Sequence, residues 1–208
     1  RIFGKSLELD EVEINPGRPG PSTRTFATTL PRVIYLGGRS QFLLDAGGRP
    51  ATITLPSGES VNLPDPVLVH ELVHAWQNKH GGSRYLMEAA GGYVAHGWAD
   101  SYRWWNFTDA NRELRVDSFT ANHGAHWRDL PVEAQAEFIQ DAYRIGAFHT
   151  GAAPGYGGLI IRAGDFDDPA DSTDYTAAFG AFVVLRGVDW THFLRGAVEA
   201  LHKGDFRR

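Results

Sequence analysis

Asp65-Pro66, followed by Val67, Leu68, Leu72, Val73, Ala75 and Trp76 at helical spacing as far as Gly81-Gly82, commits the middle of this chain to a helix. Aspartate is a strong N-cap, proline suits the first turn because its missing N–H has no helical partner there, and glycine ends helices. The expected span is 66–79. Inside it lies His70-Glu71-Leu72-Val73-His74, whose two imidazoles stand about one turn apart on one face, placed to hold a single ion. Glu71 is offset from His70 by about 100° around the helix. A carboxylate there reaches a metal-activated water rather than the metal, and serves as general base. The expected cofactor is Zn2+, with His70 and His74 as ligands and Glu71 as the catalytic base.

Composition narrows what can complete such a site. The 208 residues include no cysteine, which excludes thiolate ligands, disulfides and cysteine nucleophiles and leaves nitrogen and oxygen to hold any zinc. With 42% hydrophobic residues, the chain is long enough to bury a core as a single domain over 1–208. Its 20 basic and 25 acidic residues, net charge -5, argue against nucleic acid as a partner. The longest apolar stretch, around 177–185, is far short of the roughly 20 residues that a membrane-spanning helix requires. A chain beginning at Arg1 reads as a fragment or processed product, which leaves its compartment open.

Short strands are expected first. Leu7, Leu9, Val12 and Ile14 alternate with acids over 7–14, residues 32–36 form a β-rich run, and 51–55 with 60–63 flank Pro56-Ser57-Gly58-Glu59 as a hairpin. Helices are expected after them, over 84–98, 131–147, 176–186 and 189–203, with a mostly looped region over 101–127. This order indicates an α+β fold, in which a strand-rich lobe at 1–64 forms a small sheet and a mainly helical lobe at 65–208 carries the metal site.

Catalytic zinc usually has three protein ligands and one open position. His80 stands ten residues after His70, the metzincin spacing, but that pattern needs glycine where this chain has Gln77 and a later methionine turn, whereas the one methionine is Met87. His80 is therefore expected to face solvent at the helix end. Glu88, His96, His123 and His126 could also approach the metal, and no spacing argument selects among them. Tyr102, His123, His126 and Tyr143 are possible donors to an oxyanion. Trp98, Tyr102, Trp104, Trp105, Phe107 and Trp127 are expected to pack in a core. Asp165, Asp167 and Asp168 lack the spacing of a calcium loop.

The run Glu133-Ala134-Gln135-Ala136-Glu137 resembles the second half of a gluzincin site. That resemblance implies Glu133 as the third ligand and Glu137 as a carboxylate orienting a ligand histidine, His74. Glu137 as ligand with Glu133 as cap, or a solvated acidic helix face, are the other readings. The longer run Leu68-Val69-His70-Glu71-Leu72-Val73-His74-Ala75-Trp76-Gln77, with Arg1-Ile2-Phe3-Gly4-Lys5-Ser6-Leu7 and Arg32-Val33-Ile34-Tyr35-Leu36, resembles a family of bacterial metallopeptidases. These occur as domains of polymorphic toxins and as cargo of extracellular contractile injection systems. The resemblance covers segments within 1–80 and 131–145, and the 58 residues between His74 and Glu133 exceed the separation in compact gluzincins. It implies a zincin-like core that hydrolyses peptide bonds in a protein or peptide substrate, an association with a larger toxin or secretion assembly, and a bacterial, secreted or delivered effector. Two alternatives remain: a non-catalytic docking or cargo-loading domain with a structural metal, and a zinc amidase acting on cell-wall peptides.

Overall fold

A computed structural model describes residues 2–17, 28–30, 32–54, 58–96, 104, 127–144, 147–148 and 191–206. The fold is α+β, with short strands preceding helices. Strands β1 (Glu13–Asn15), β2 (Thr28–Leu30) and β3 (Val33–Tyr35) form one sheet in the order β1-β3-β2. In it β3 runs parallel to β1, with Ile14 opposite Ile34, and antiparallel to β2, with Thr29 opposite Ile34. Strands β4 (Thr52–Thr54) and β5 (Ser60–Asn62) pair antiparallel as the expected hairpin. The strand expected over 7–14 is corrected. Residues Leu9–Glu11 form a 3-10 turn and only the last of that stretch joins the sheet, because clustered acids at positions 8, 10, 11 and 13 break a true two-residue alternation. Strand β2 was not anticipated from the sequence.

Helix α1 (Pro66–Gly81) begins as expected. The Asp65 carboxylate accepts from Val67 N–H at 2.8 Å and Pro66 occupies the first turn. It extends two residues beyond the expected end, to Gly81, and the cap residue Gly82, with φ of 55° and its N–H bonded to Asn78 O, closes it. Helix α2 (Ser83–His96) follows at once, then α3 (Val132–Arg144) and α4 (Thr191–Lys203). The expected helix at 176–186 lies outside the described residues. No described helix is long and apolar enough to cross a membrane.

Helix α1 is enclosed on every side. Ten consecutive residues, from Leu68 to Gln77, are buried, which is the mark of a central helix rather than a surface one. Strands β2 and β3, helix α2 and helix α3 all pack on it. Its far side is closed by the two ends of the described chain, and Trp76 ties them together. The Trp76 indole N–H reaches both Ser6 Oγ and Leu201 O at 3.0 Å, while the ring packs on Trp127, His80 and Phe206. Ser6 Oγ in turn bonds Leu201 O and Phe3 O. At Gly81 a Cβ would meet the Phe206 ring at 2.7 Å, so the end of α1 needs glycine for this approach. Helix α4 buries Phe193, Leu194, Ala197, Val198 and Leu201 along one face, and Phe193 meets Phe138 of α3 edge-on at 4.9 Å between ring centres.

Trp76→Ala is expected to cost about 3–5 kcal/mol, a large share of the roughly 5–15 kcal/mol that stabilises a domain. Trp76→Phe retains most of the packing but leaves Leu201 O and Ser6 Oγ without the indole donor, at a cost of about 1–3 kcal/mol. Urea denaturation measures both. Equal stability of the Phe variant and the native chain would remove the indole hydrogen bond from this account.

Candidate metal centre

The buried polar and charged side chains among the described residues all belong to α1 and α3. Helix α1 contributes His70, His74 and Gln77 at i, i+4 and i+7, so they form one stripe along its length. Helix α3 contributes Glu133, Glu137 and Gln140 at the same spacing. The contacts run 70 to 137, 74 to 133 and 77 to 132, so the two helices lie antiparallel with their polar stripes facing. Burying such groups is costly unless each finds a partner, and His70, His74 and Gln77 each face a polar group of α3.

Three ligand atoms converge at one end of this seam. His70 Nε2 lies 3.0 Å from His74 Nε2, His74 Nε2 lies 3.0 Å from Glu133 Oε2, and His70 Nε2 lies 3.5 Å from the same oxygen. The three side chains are buried, and together they could hold a metal ion. Glu133 sits in the first turn of α3, where the helix dipole favours a carboxylate. Glu71 is buried at 6% exposure and its charge acts on both imidazoles, but it is not among the three converging atoms. The third ligand expected from the later helix is thus brought to the first two across 58 intervening residues.

Glu137 approaches His70, not His74, a correction to the expectation. Its Oε2 is 3.2 Å from His70 Nδ1, while its Oε1 accepts from Gln140 Nε2 at 3.0 Å. The reason is direction: on antiparallel helices the acid one turn after Glu133 must meet the residue one turn before His74. The partner of His74 is Gln77, whose Oε1 lies 2.7 Å from Nδ1. Its place at i+3 from His74 on the same stripe is the signal in the sequence that points to it.

His80 is also corrected. It is half-buried, not solvent-facing, with Nε2 3.0 Å from Ser6 O and its ring on Trp76, because the N-terminal segment folds over the end of α1. Glu88 pairs with Arg84 at 2.8 Å. Tyr143 donates to Pro64 O at 3.0 Å, and burial with the neighbouring Asp65 pushes its phenol well up. It therefore anchors α3 to the entry of α1. Trp104 and Trp127 are core residues as expected, donating to Asp141 Oδ2 and Gln135 O. Trp98, Tyr102, Trp105, Phe107, His123, His126, Asp165, Asp167 and Asp168, and the side chain of His96, lie outside the described residues.

Charge in this seam sets its proton affinity. Burial alone would push the His70 imidazole down, but hydrogen bonds to Glu133 and Glu137 outweigh it and raise it to about 10. His74 is opposed in the same way by burial and by the charge of His70, and Glu133 again carries it upward. Glu133 is held well below the ordinary carboxylate range: burial works against this, and the two imidazoles prevail. A divalent ion could displace a proton from each of the two imidazoles without altering the net charge of the cluster. No family model matches the chain, and neither a curated protein nor a solved structure matches it.

Metal and protons compete for the same nitrogens. A raised His70 stabilises the metal-free fold fully below its ordinary value of 6.5, and that contribution is lost as pH rises through about 10. The melting temperature of metal-free protein should therefore fall between about pH 7 and pH 10. Metal affinity should run the other way, rising about tenfold per pH unit for each proton displaced. Calorimetry and chelator competition across pH test the pair, and a pH-independent affinity would count against the site.

Proposed function

We propose that the chain is a zinc-dependent metallopeptidase domain, with His70, His74 and Glu133 as ligands and Glu71 as general base. The observation that carries this reading is the triangle of His70 Nε2, His74 Nε2 and Glu133 Oε2, with edges of 3.0, 3.0 and 3.5 Å. Zinc bonds of about 2.0–2.1 Å in tetrahedral geometry require ligand atoms about 3.3–3.4 Å apart, and the triangle lies close to that size. Two imidazoles and a carboxylate suit zinc better than they suit magnesium or calcium, which prefer all-oxygen sites. Three ligands among the described residues, rather than four, match a catalytic site that keeps a position open.

When bound, zinc supplies Lewis acidity and lowers the pKa of a water to about 7. The remaining steps belong to the chain. Glu71, buried beside both ligand histidines, takes the proton from the attacking water and delivers it to the departing amine. Glu137 Oε2 stands at ion-pair distance from His70 Nδ1 and Gln77 Oε1 accepts from His74 Nδ1, which turns each Nε2 toward the triangle. The resemblance of residues 1–7, 32–36, 68–77 and 133–137 to bacterial toxin and injection-system metallopeptidases supports a delivered effector that works within a larger assembly.

One observation favours a second reading, a docking domain with a structural metal. His70, Glu71, His74 and Glu133 are each no more than 6% exposed, and structural sites are closed. A single experiment separates the readings. Zinc stoichiometry and cleavage of unfolded protein and of peptidoglycan are measured for the native chain and Glu71→Gln. The peptidase reading expects one zinc in each and a loss of protein cleavage of about 100- to 10,000-fold in the variant. Cleavage of peptidoglycan alone would identify an amidase, a metal-free native chain would remove the proposal, and one zinc with no cleavage of either substrate by the native chain would favour docking.

A further inference from the structure

The two ligand histidines are supported differently. His70 has a carboxylate behind it, Glu137, steadied by Gln140. His74 has a neutral amide, Gln77, that belongs to a longer chain of amides. Gln77 Nε2 lies 2.9 Å from Val132 O and 2.9 Å from Gln135 Oε1. Gln135 Nε2 lies 2.9 Å from Leu130 O and 3.2 Å from Arg128 O, while Gln135 O accepts from the Trp127 indole at 3.0 Å. Gln77 and Gln135 are both fully buried.

The direction of this chain is dictated by its ends. A backbone carbonyl only accepts, so the nitrogen of Gln135 must face Leu130 O and Arg128 O, and its oxygen must therefore face Gln77. Val132 O and Gln135 Oε1 then take both N–H groups of Gln77, and only its oxygen is left for His74. An oxygen can only accept, so a proton must sit on His74 Nδ1, and Nε2, the atom 3.0 Å from Glu133 Oε2, is left as the nitrogen that gives up its proton to a metal. The same amide also grips the peptide carbonyl immediately before Glu133. One side chain thereby sets which nitrogen His74 offers and the position along α3 from which Glu133 reaches it.

We propose that Gln77 is the positioning residue of the metal centre, acting through His74 and through the first turn of α3, with Gln135 fixing the direction of its amide. This rests on His74 and Glu133 being metal ligands. Removing the acceptor should loosen metal binding by about 10- to 100-fold, the usual effect of losing such a partner. Replacing it with a carboxylate should not, because Glu at 77 still accepts from Nδ1, although it can no longer donate to Val132 O or Gln135 Oε1.

Zn2+ affinity by chelator competition and the melting temperature of the metal-free protein are compared for the native chain, Gln77→Met and Gln77→Glu. The expected pattern is a split. Both variants melt lower than the native chain, Gln77→Met binds Zn2+ about 10- to 100-fold more weakly, and Gln77→Glu binds within about threefold of native or tighter. A purely structural Gln77 would make affinity fall with melting temperature in both variants, and that result overturns the proposal. Should Gln77→Met not fold, the native protein decides by itself: 1H–15N spectra of the zinc-loaded chain should show a slowly exchanging proton on His74 Nδ1. Zinc bound with the proton on Nε2 instead overturns this inference alone, whereas a native chain that binds no Zn2+ removes the metal centre and the inference with it.

Discussion

A helix buried around its whole circumference cannot carry histidines, a glutamate and a glutamine without another element to receive them. Helix α1 is such a helix, and α3 is the element that receives its polar side. The remainder of the described fold encloses this pair: strands β2 and β3 and helix α2 cover other sides of α1, and the chain's two ends close over it through Trp76. The side chains of the seam are buried, so the electrostatic coupling within it is strong. Burial also means that every group must be matched locally. Across the seam His70 meets Glu137 and His74 meets Glu133, while Gln77 turns to Val132 O and Gln135 and Gln140 turns to Glu137 of its own helix.

Two kinds of order coexist in the seam. Around His70 it is ionic, with two carboxylates drawing proton affinity upward against burial. Around His74 it is directional, with amide dipoles lined up from backbone carbonyls to an imidazole. Carboxylates attract a cation into a buried place, but a carboxylate accepts from many angles. Planar amides with every donor assigned fix a ring far more narrowly. Under the proposed function, this combination would hold an ion's ligands still.

Much of this was legible in the sequence because local chemistry dictated it. Asp65, Pro66 and Gly82 bounded α1, and the hairpin around residues 56–59 followed from its turn residues. The metal pair was visible because i and i+4 spacing guarantees proximity on one helix. Glu133 could be connected to it only through a resemblance, since nothing local says that residues 58 positions apart meet. Glu137 was assigned to the wrong histidine for a related reason: the sequence carries no sign of whether α3 runs parallel or antiparallel to α1, and that direction decides which acid meets which imidazole. His80 was expected to face solvent because its cover, Ser6 and the segment around it, comes from the far end of the chain.

The sequence by itself therefore determined where α1 begins, which of its faces bears the two imidazoles, that any ligands would be nitrogen and oxygen, and that strands precede helices. These are consequences of short-range sterics, capping and residue chemistry. Only the tertiary structure decided that Glu133 meets the two imidazoles, that Glu137 pairs with His70 and that Gln77 lies against His74. Each depends on the antiparallel docking of α3 on α1, a long-range packing arrangement fixed by the combined burial of both helices rather than by any one stretch of chain.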